Sequence, residues 1–174
     1  MTIADLRISG ADVVLPTGVE RLDLLVREGR IADIVAPGAP GEAQETFDAT
    51  GLHIFPGVID PHVHLGPNIT YPQSRDDVAA ESQSAAAGGV TSMLAYLMST
   101  DPYEEVFPVA RDAMAADSVI DFGFHFCVVT RDQLESIPAY AAELGVSSYK
   151  FFHELSRRGG GVSRASWERR RLPV

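Results

Sequence analysis

Hydrophobic and polar residues alternate in short runs through the first 55 positions, a pattern typical of half-buried β-strands. Glycine and proline separate the runs. The stretch VREGRIADIV places a turn-forming glycine between two β-prone segments, which indicates a hairpin. The pattern therefore predicts a small β-domain over residues 1–55, with strands at 5–8, 12–15, 22–26, 31–35, 45–47 and 52–55.

The pattern changes after Pro56-Gly57, where apolar strands begin to alternate with longer helical segments. Such alternation predicts βα units and a parallel sheet, so the fold class is α/β. We expect a strand that begins at 58–60, further strands at 90–97, 119–129 and 146–152, and helices at 76–87, 103–116 and 133–144.

Residues 157–174 break this alternation, with three consecutive glycines just after Arg158, six arginines and no apolar periodicity. Their composition predicts a disordered basic tail. One interpretation is a natural tail. The other is a change of reading frame or gene model near Ser156, which would join a foreign end to a shortened enzyme.

Charge and cysteine content narrow the classes of partner and compartment. The formal net charge of −10 disfavours nucleic acid and anionic membranes as partners. Cys127 has no second cysteine with which to form an intrachain disulfide, and the N-terminus MTIADLRISG lacks an apolar signal core. No apolar run approaches the roughly 20 residues that span a bilayer. We therefore expect a cytoplasmic protein.

The stretch FPGVIDPHVHLG carries the first candidate chemistry. His62 and His64 are two positions apart on a predicted strand, so their side chains should share a face. Two imidazoles on one face can bind a divalent metal such as zinc. Asp60 on the same face could be a third ligand, or it could orient the ligands without binding the metal itself. A pair of hydrogen-bonded histidines without metal is the alternative.

The only lysine of the chain, Lys150, lies in the apolar stretch GVSSYKFF, where a charged amine is costly to bury. A lysine that extends its amine to water from the end of a strand would be one explanation.

The segments PGVIDPHVHL, AAAGGVTSM, DFGFH and GVSSYKFF occur in an order that resembles the amidohydrolase superfamily. Within it, the chain is similar to the dihydropyrimidinase/hydantoinase branch over residues 5–155. The resemblance implies a (β/α)8 TIM-type barrel beside a β-sandwich. Residues 1–55 would be the N-terminal part of that sandwich, and residues 56–156 would be the first half of the barrel, with about four βα units.

The resemblance also implies a role for Lys150. In this family the lysine that ends the fourth barrel strand reacts with CO2 to give an N6-carboxylysine. Its two oxygens bind two divalent metal ions, usually zinc. The implied metal ligands are therefore His62, His64 and carboxylated Lys150.

The implied reaction is hydrolysis of a C–N bond, other than a peptide bond, in a cyclic amide or imide such as a hydantoin or dihydropyrimidine. Complete members also use two further histidines and a proton-shuttling aspartate from later strands, so no catalytic residue can be assigned in this chain. We expect it to be inactive alone, and its full-length relatives to be homotetramers. A non-enzymatic dihydropyrimidinase-like scaffold and a metal-binding half-barrel are the alternatives.

Four positions qualify the resemblance. Gly66 stands where dihydroorotases have a substrate-binding arginine, which argues against that activity. Leu155 replaces a tyrosine that contacts the substrate in dihydropyrimidinases. We interpret His125 as a packing or supporting residue, and His153 should point away from the face of Lys150 because it is three positions further along the strand.

Overall fold

The computed structural model describes residues 3–66 and 75–152. The predicted tail at 157–174, His153 and Leu155 lie outside these ranges. Contacts divide the chain into two compact units, with the division between Pro56 and Gly57. Among the helices of the described residues, none is both long and apolar enough to cross a membrane.

The first unit is one five-stranded sheet. Strands β1 and β2 pair antiparallel, as do β2 and β3, whereas β4 and β5 both run parallel to β1. The sequence predicted two short strands where β1 is continuous, because a bulge at Gly10, with φ +73°, shifts the register without ending the strand. The strands are β1 (Ala4–Leu15), β2 (Gly18–Arg27), β3 (Arg30–Val35), β4 (Ala43–Asp48) and β5 (His53–Ile54).

A buried carboxylate organises this first sheet. Asp23 is 2% exposed, and it accepts hydrogen bonds from the Arg7 guanidinium and from the backbone N–H groups of Gly10 and Gly38. Burial raises the pKa of Asp23, but the hydrogen bonds from Gly10, Arg7 and Gly38 together outweigh it, so the pKa lies below its usual value. The bulge and the loop after β3 are thereby tied to β2.

The second unit is a parallel four-stranded sheet in the order β6-β7-β8-β9, with helices in each connection. The predicted α/β class and parallel sheet are confirmed. Three strand–helix–strand connections are described, and a fourth helix after β9 would lie outside the described residues. The elements are β6 (Val58–Val63), α1 (Arg75–Ala87), β7 (Val90–Leu97), α2 (Tyr103–Asp117), β8 (Asp121–Val128), α3 (Arg131–Glu135), α4 (Ile137–Glu143) and β9 (Tyr149–Phe151).

Two predicted elements differ in detail from the structure. The helix expected at 133–144 is split into α3 and α4 at Ser136, because Pro138 occupies the first turn of α4. Strand β9 is shorter than the predicted 146–152, since Val146 is instead buried in the core and its N–H donates to the Tyr140 carbonyl.

The two faces of the parallel sheet differ in character. One face packs with α2 into the main core, which includes Met93, Ala95 and Leu97 of β7 with Phe124 and Phe126 of β8. Because side chains alternate along a strand, the intervening residues point to the other face. That second face carries the candidate chemistry.

Candidate metal centre

Strand β6 is irregular at Pro61 and His62, and it ends at Val63, one residue before His64. Asp60 pairs with Met93 and Val63 pairs with Ala95, so two residues of β6 face the single Leu94 of β7. Such a bulge redirects the side chains that follow it. Pro61, one of the two residues opposite Leu94, has no N–H to donate to the ladder.

The rings of His62 and His64 converge after this bulge. Their Nε2 atoms are 3.2 Å apart and their ring centroids are 5.1 Å apart. A hydrogen bond between two neutral imidazoles would give this separation. It also suits two nitrogens that bind one zinc ion at about 2.0–2.1 Å each with a near-tetrahedral angle.

Tyr96 of β7 lies at the centre of the candidate site. The centroid of its ring is 4.5 Å from that of His62, 5.1 Å from that of His64 and 4.8 Å from that of His125. No motif in the sequence singles out Tyr96. Its position became evident only through the pairing of β7 with β6, which places it one strand away from the histidines.

Lys150 reaches the same place from β9. Its Nζ lies 5.1 Å from the centre of the Tyr96 ring and 5.5 Å from that of Phe152. Lys150 pairs in register with Cys127, so the two side chains leave the sheet on the same face. A cavity of about 90 Å³ is lined by His64, Tyr96, Met98, Cys127, Lys150 and Phe152.

The electrostatics favour neutral His64. Although His64 is exposed as a residue, loss of water around its ring lowers its pKa, and the positive charges of His62 and Lys150 lower it further. A neutral imidazole is the form that binds a metal.

Asp60 makes a different contact from those of the histidines. Its Oδ1 accepts the backbone N–H of His62 at 3.0 Å, so the carboxylate supports the bulged backbone next to the first histidine. Within residues 3–66 and 75–152, no cluster of three or more His, Cys, Asp or Glu side chains is arranged to hold a metal ion. A metal centre here would depend on Lys150.

His125 is engaged at both ring nitrogens. Its Nδ1 is 2.5 Å from the Ser148 hydroxyl oxygen, and its Nε2 is 2.9 Å from the Pro61 carbonyl oxygen. Neither nitrogen is left over for a metal. The arrangement agrees with the interpretation of His125 as a supporting residue.

The chain resembles known hydantoinases in both sequence and structure. No protein-family model matches the chain. It is 32% identical over 149 residues to a D-hydantoinase from Geobacillus stearothermophilus, covering 83% of this chain and 31% of that enzyme. It is 37% identical over 154 residues to an allantoinase from Deinococcus radiodurans, covering 85% of this chain and 33% of that enzyme.

Solved structures of hydantoinases also match this chain. A D-hydantoinase structure matches 93% of this chain with a TM-score of 0.75 and 30% identity, over 35% of its own length. L-hydantoinase from Arthrobacter aurescens matches 80% of this chain with a TM-score of 0.68 and 26% identity, over 31% of its length. The chain thus spans about a third of the relatives it matches, and over that third it belongs to the hydantoinase-like branch of the amidohydrolase superfamily.

Proposed function

We propose that this chain carries part of the metal centre of an enzyme that hydrolyses a C–N bond in a cyclic amide. The ligands would be His62, His64 and Lys150, the last as N6-carboxylysine. The observation that carries the proposal is the convergence of two imidazoles and the only lysine of the sequence around the ring of Tyr96. Asp60 would support the ligands through the backbone of His62.

The donor set fits two divalent cations, for which we propose zinc. The Nε2 atoms of His62 and His64 are close enough to share one ion. Carboxylation would convert the Lys150 amine and CO2 into a carbamate, with formation of an N–C bond and loss of a proton. The two carbamate oxygens could then bind one ion each.

Divalent cations in such a site supply a water-derived nucleophile at neutral pH and polarise the amide carbonyl. The residues of this chain would hold the ions in place. Residues that move protons would come from barrel strands other than β6–β9, so we assign no catalytic acid or base here. We propose hydantoins and dihydropyrimidines as the substrate class, on the basis of the hydantoinase and dihydropyrimidinase relatives.

The architecture of the whole enzyme is part of the proposal. Strands β6–β9 would be the first four of an eight-stranded barrel, with a helix after β9, and residues 1–55 would belong to a β-sandwich. A homotetramer is proposed for the full-length enzyme. The predicted cytoplasmic location stays a prediction.

Metal titration tests the proposal. Wild-type chain should bind Co²⁺ with a visible spectrum of four- or five-coordinate metal, and His62→Ala and Lys150→Gln should weaken binding by at least tenfold. His53→Ala is the matched control, because His53 is an exposed histidine of the first unit and stacks on Phe55. Equal Co²⁺ binding by wild type, His62→Ala and His53→Ala would overturn the proposed centre and favour the metal-free histidine pair.

An activity assay distinguishes an enzyme from the two alternatives, a metal-binding half-barrel and a non-enzymatic scaffold. Full-length enzyme should open hydantoin or dihydrouracil, and this activity should be lost in His62→Ala. Metal bound at His62 and His64 without ring opening by the full-length enzyme would indicate a metal-binding half-barrel. A scaffold protein would bind no metal at all.

A further inference from the structure

We infer that His125 is a positioning residue. It connects β6, which carries His62, to the segment just before β9, which carries Lys150, across the face of the parallel sheet that bears these residues. The inference rests on the proposed metal centre. It concerns a residue that does not bind metal itself. His125 contacts Pro61, the neighbour of His62, and Ser148, which is two residues before Lys150.

The bulge in β6 creates the need for such a residue. Because Pro61 and His62 together face only Leu94, the ladder between β6 and β7 is interrupted at this point. A carbonyl displaced from a ladder takes its hydrogen bond from water or from another donor. The Pro61 carbonyl receives one from His125 Nε2 at 2.9 Å.

The chemistry of the contacts assigns the proton. A carbonyl oxygen can only accept, so Nε2 must carry hydrogen and donate it to Pro61. In the neutral ring, Nδ1 then accepts the hydroxyl hydrogen of Ser148. His125 therefore has one orientation and one neutral tautomer that satisfy both contacts.

The position of His125 makes it a brace between strands that are not neighbours. Strand β8 is separated from β6 by β7, so the imidazole passes over Tyr96, with ring centroids 4.8 Å apart, to reach Pro61. Ser148 is also tied to β8 by its backbone, since its carbonyl accepts the N–H of Phe126 at 3.0 Å. His125 thus adds a direct side-chain link between β6 and the segment before β9, beside the backbone ladders that pair β6 with β7, β7 with β8 and β8 with β9.

Two amide variants distinguish this role from packing. The side-chain nitrogen of His125→Gln reaches about as far as imidazole Nε2 and can still donate to Pro61. His125→Asn is shorter and can reach only Ser148. His125→Phe keeps a ring against Tyr96 and loses both hydrogen bonds. Ser148→Ala removes the hydrogen bond at Nδ1 by changing the partner residue and leaving His125 in place.

Two measurements test whether these variants disturb the arrangement of the site. The first is the set of nuclear Overhauser contacts between the ring protons of Tyr96 and those of His62 and His64 in metal-free chain. The second is Co²⁺ affinity, which should fall about tenfold or more in His125→Asn and His125→Phe, as for other residues that orient ligands. His125→Gln should stay within about threefold of wild type. Thermal unfolding identifies any variant that fails to fold.

Preserved ring contacts and Co²⁺ affinity in both His125→Phe and His125→Asn would overturn the inference, because packing alone would then suffice. If His125→Phe does not fold, the comparison between the Gln and Asn variants decides. If wild-type chain binds no Co²⁺, the proposed metal centre fails, while the ring contacts in metal-free chain still test the brace. Loss of those contacts in His125→Asn and their retention in His125→Gln would support it.

Discussion

The Nζ of Lys150 lies 5.1 Å from the centre of the Tyr96 ring, on the face of the sheet that bears His62 and His64. In its ammonium form the lysine gains a cation–π contact there, worth about 0.5–1 kcal/mol where water has access. Carboxylation would replace that cation by an anion, which the ring face repels. Metal ions beside the histidines would then have to stabilise the carbamate.

Carboxylation of Lys150 should accordingly depend on metal. With ¹³C-labelled bicarbonate and Zn²⁺, we expect one carbamate signal in the ¹³C spectrum of the chain. Chelation of the metal should reduce it, because the ring of Tyr96 favours the cation. The signal should be absent in Lys150→Gln and unchanged in His53→Ala. A metal-independent signal would show that the apolar cavity stabilises the carbamate by itself.

The sequence was sufficient to predict the strand–helix alternation, which follows from local periodicity. It also pointed to His62, His64 and Lys150, which the structure brings around the ring of Tyr96. Their role as metal ligands stays a prediction. Tyr96 and Ser148 were missed because their importance comes from strand pairing. Which residue of β7 lies beside His64 is a non-local property that spacing along the chain does not contain.

Two local signals were present and could have been used. Pro61 stands inside a predicted strand, and a proline there indicates an edge or a bulge. Pro138 stands inside a predicted helix, where it marks the first turn of a new helix more readily than an interior position. Both correspond to irregularities in the structure, at β6 and between α3 and α4.

Replacement of Asp23 should destabilise the first unit in a pH-dependent way. Its folded-state pKa is lowered, so its contribution is present above the unfolded-state pKa near 3.9 and is lost as pH falls through the folded value. Asp23→Asn should lower the free energy of unfolding at pH 7 by about 3 kcal/mol, because half-buried Arg7 loses the partner of its charge. As pH falls from the unfolded-state pKa through the lower folded-state pKa, the difference from wild type should shrink.

Urea unfolding at several pH values measures this effect. Asp12→Asn is the matched control, since Asp12 pairs with Arg21 at an exposed position of the same sheet. Such a pair is worth about 0.5 kcal/mol. Equal losses in the two variants at pH 7 would show that burial does not strengthen the Asp23 pair.

Replacement of Gln133 should destabilise the carboxyl ends of β7 and β8. Its Oε1 accepts the N–H groups of Val129 and Thr130, and its Nε2 donates to the carbonyls of Ser99 and Asp101. Because Gln133 is 2% exposed, Gln133→Leu would remove the buried side-chain partner of these four backbone groups. We expect a loss of about 3 kcal/mol or more in the free energy of unfolding.

Gln133→Glu tests the donor half of this contact alone, because it keeps an acceptor oxygen for Val129 and Thr130 and replaces the donating NH2 group with a second acceptor oxygen. It should be less stable than wild type, since a carboxylate would face two carbonyl oxygens. Arg131→Ala on the same helix is the control, as Arg131 forms only an exposed ion pair with Glu135 that is worth about 0.5 kcal/mol or less. If urea unfolding shows that Gln133→Leu loses no more free energy of unfolding than Arg131→Ala does, the prediction is wrong.

Cys127 should be unreactive in the folded chain. It is 2% exposed, and burial raises the pKa of its thiol to about 11 even though the positive charge of Lys150 lowers it. Thiolate is the reactive form, so at pH 8 very little of the thiol can attack a disulfide reagent. We expect the rate of reaction with dithiobis(nitrobenzoate) to be at least a hundredfold lower in the native chain than in urea.

Lys150→Gln removes the charge that lowers the pKa, and it should slow the native reaction further if the cavity keeps its shape. A faster reaction in Lys150→Gln would mean that the lysine stem, rather than its charge, closes the cavity over the thiol.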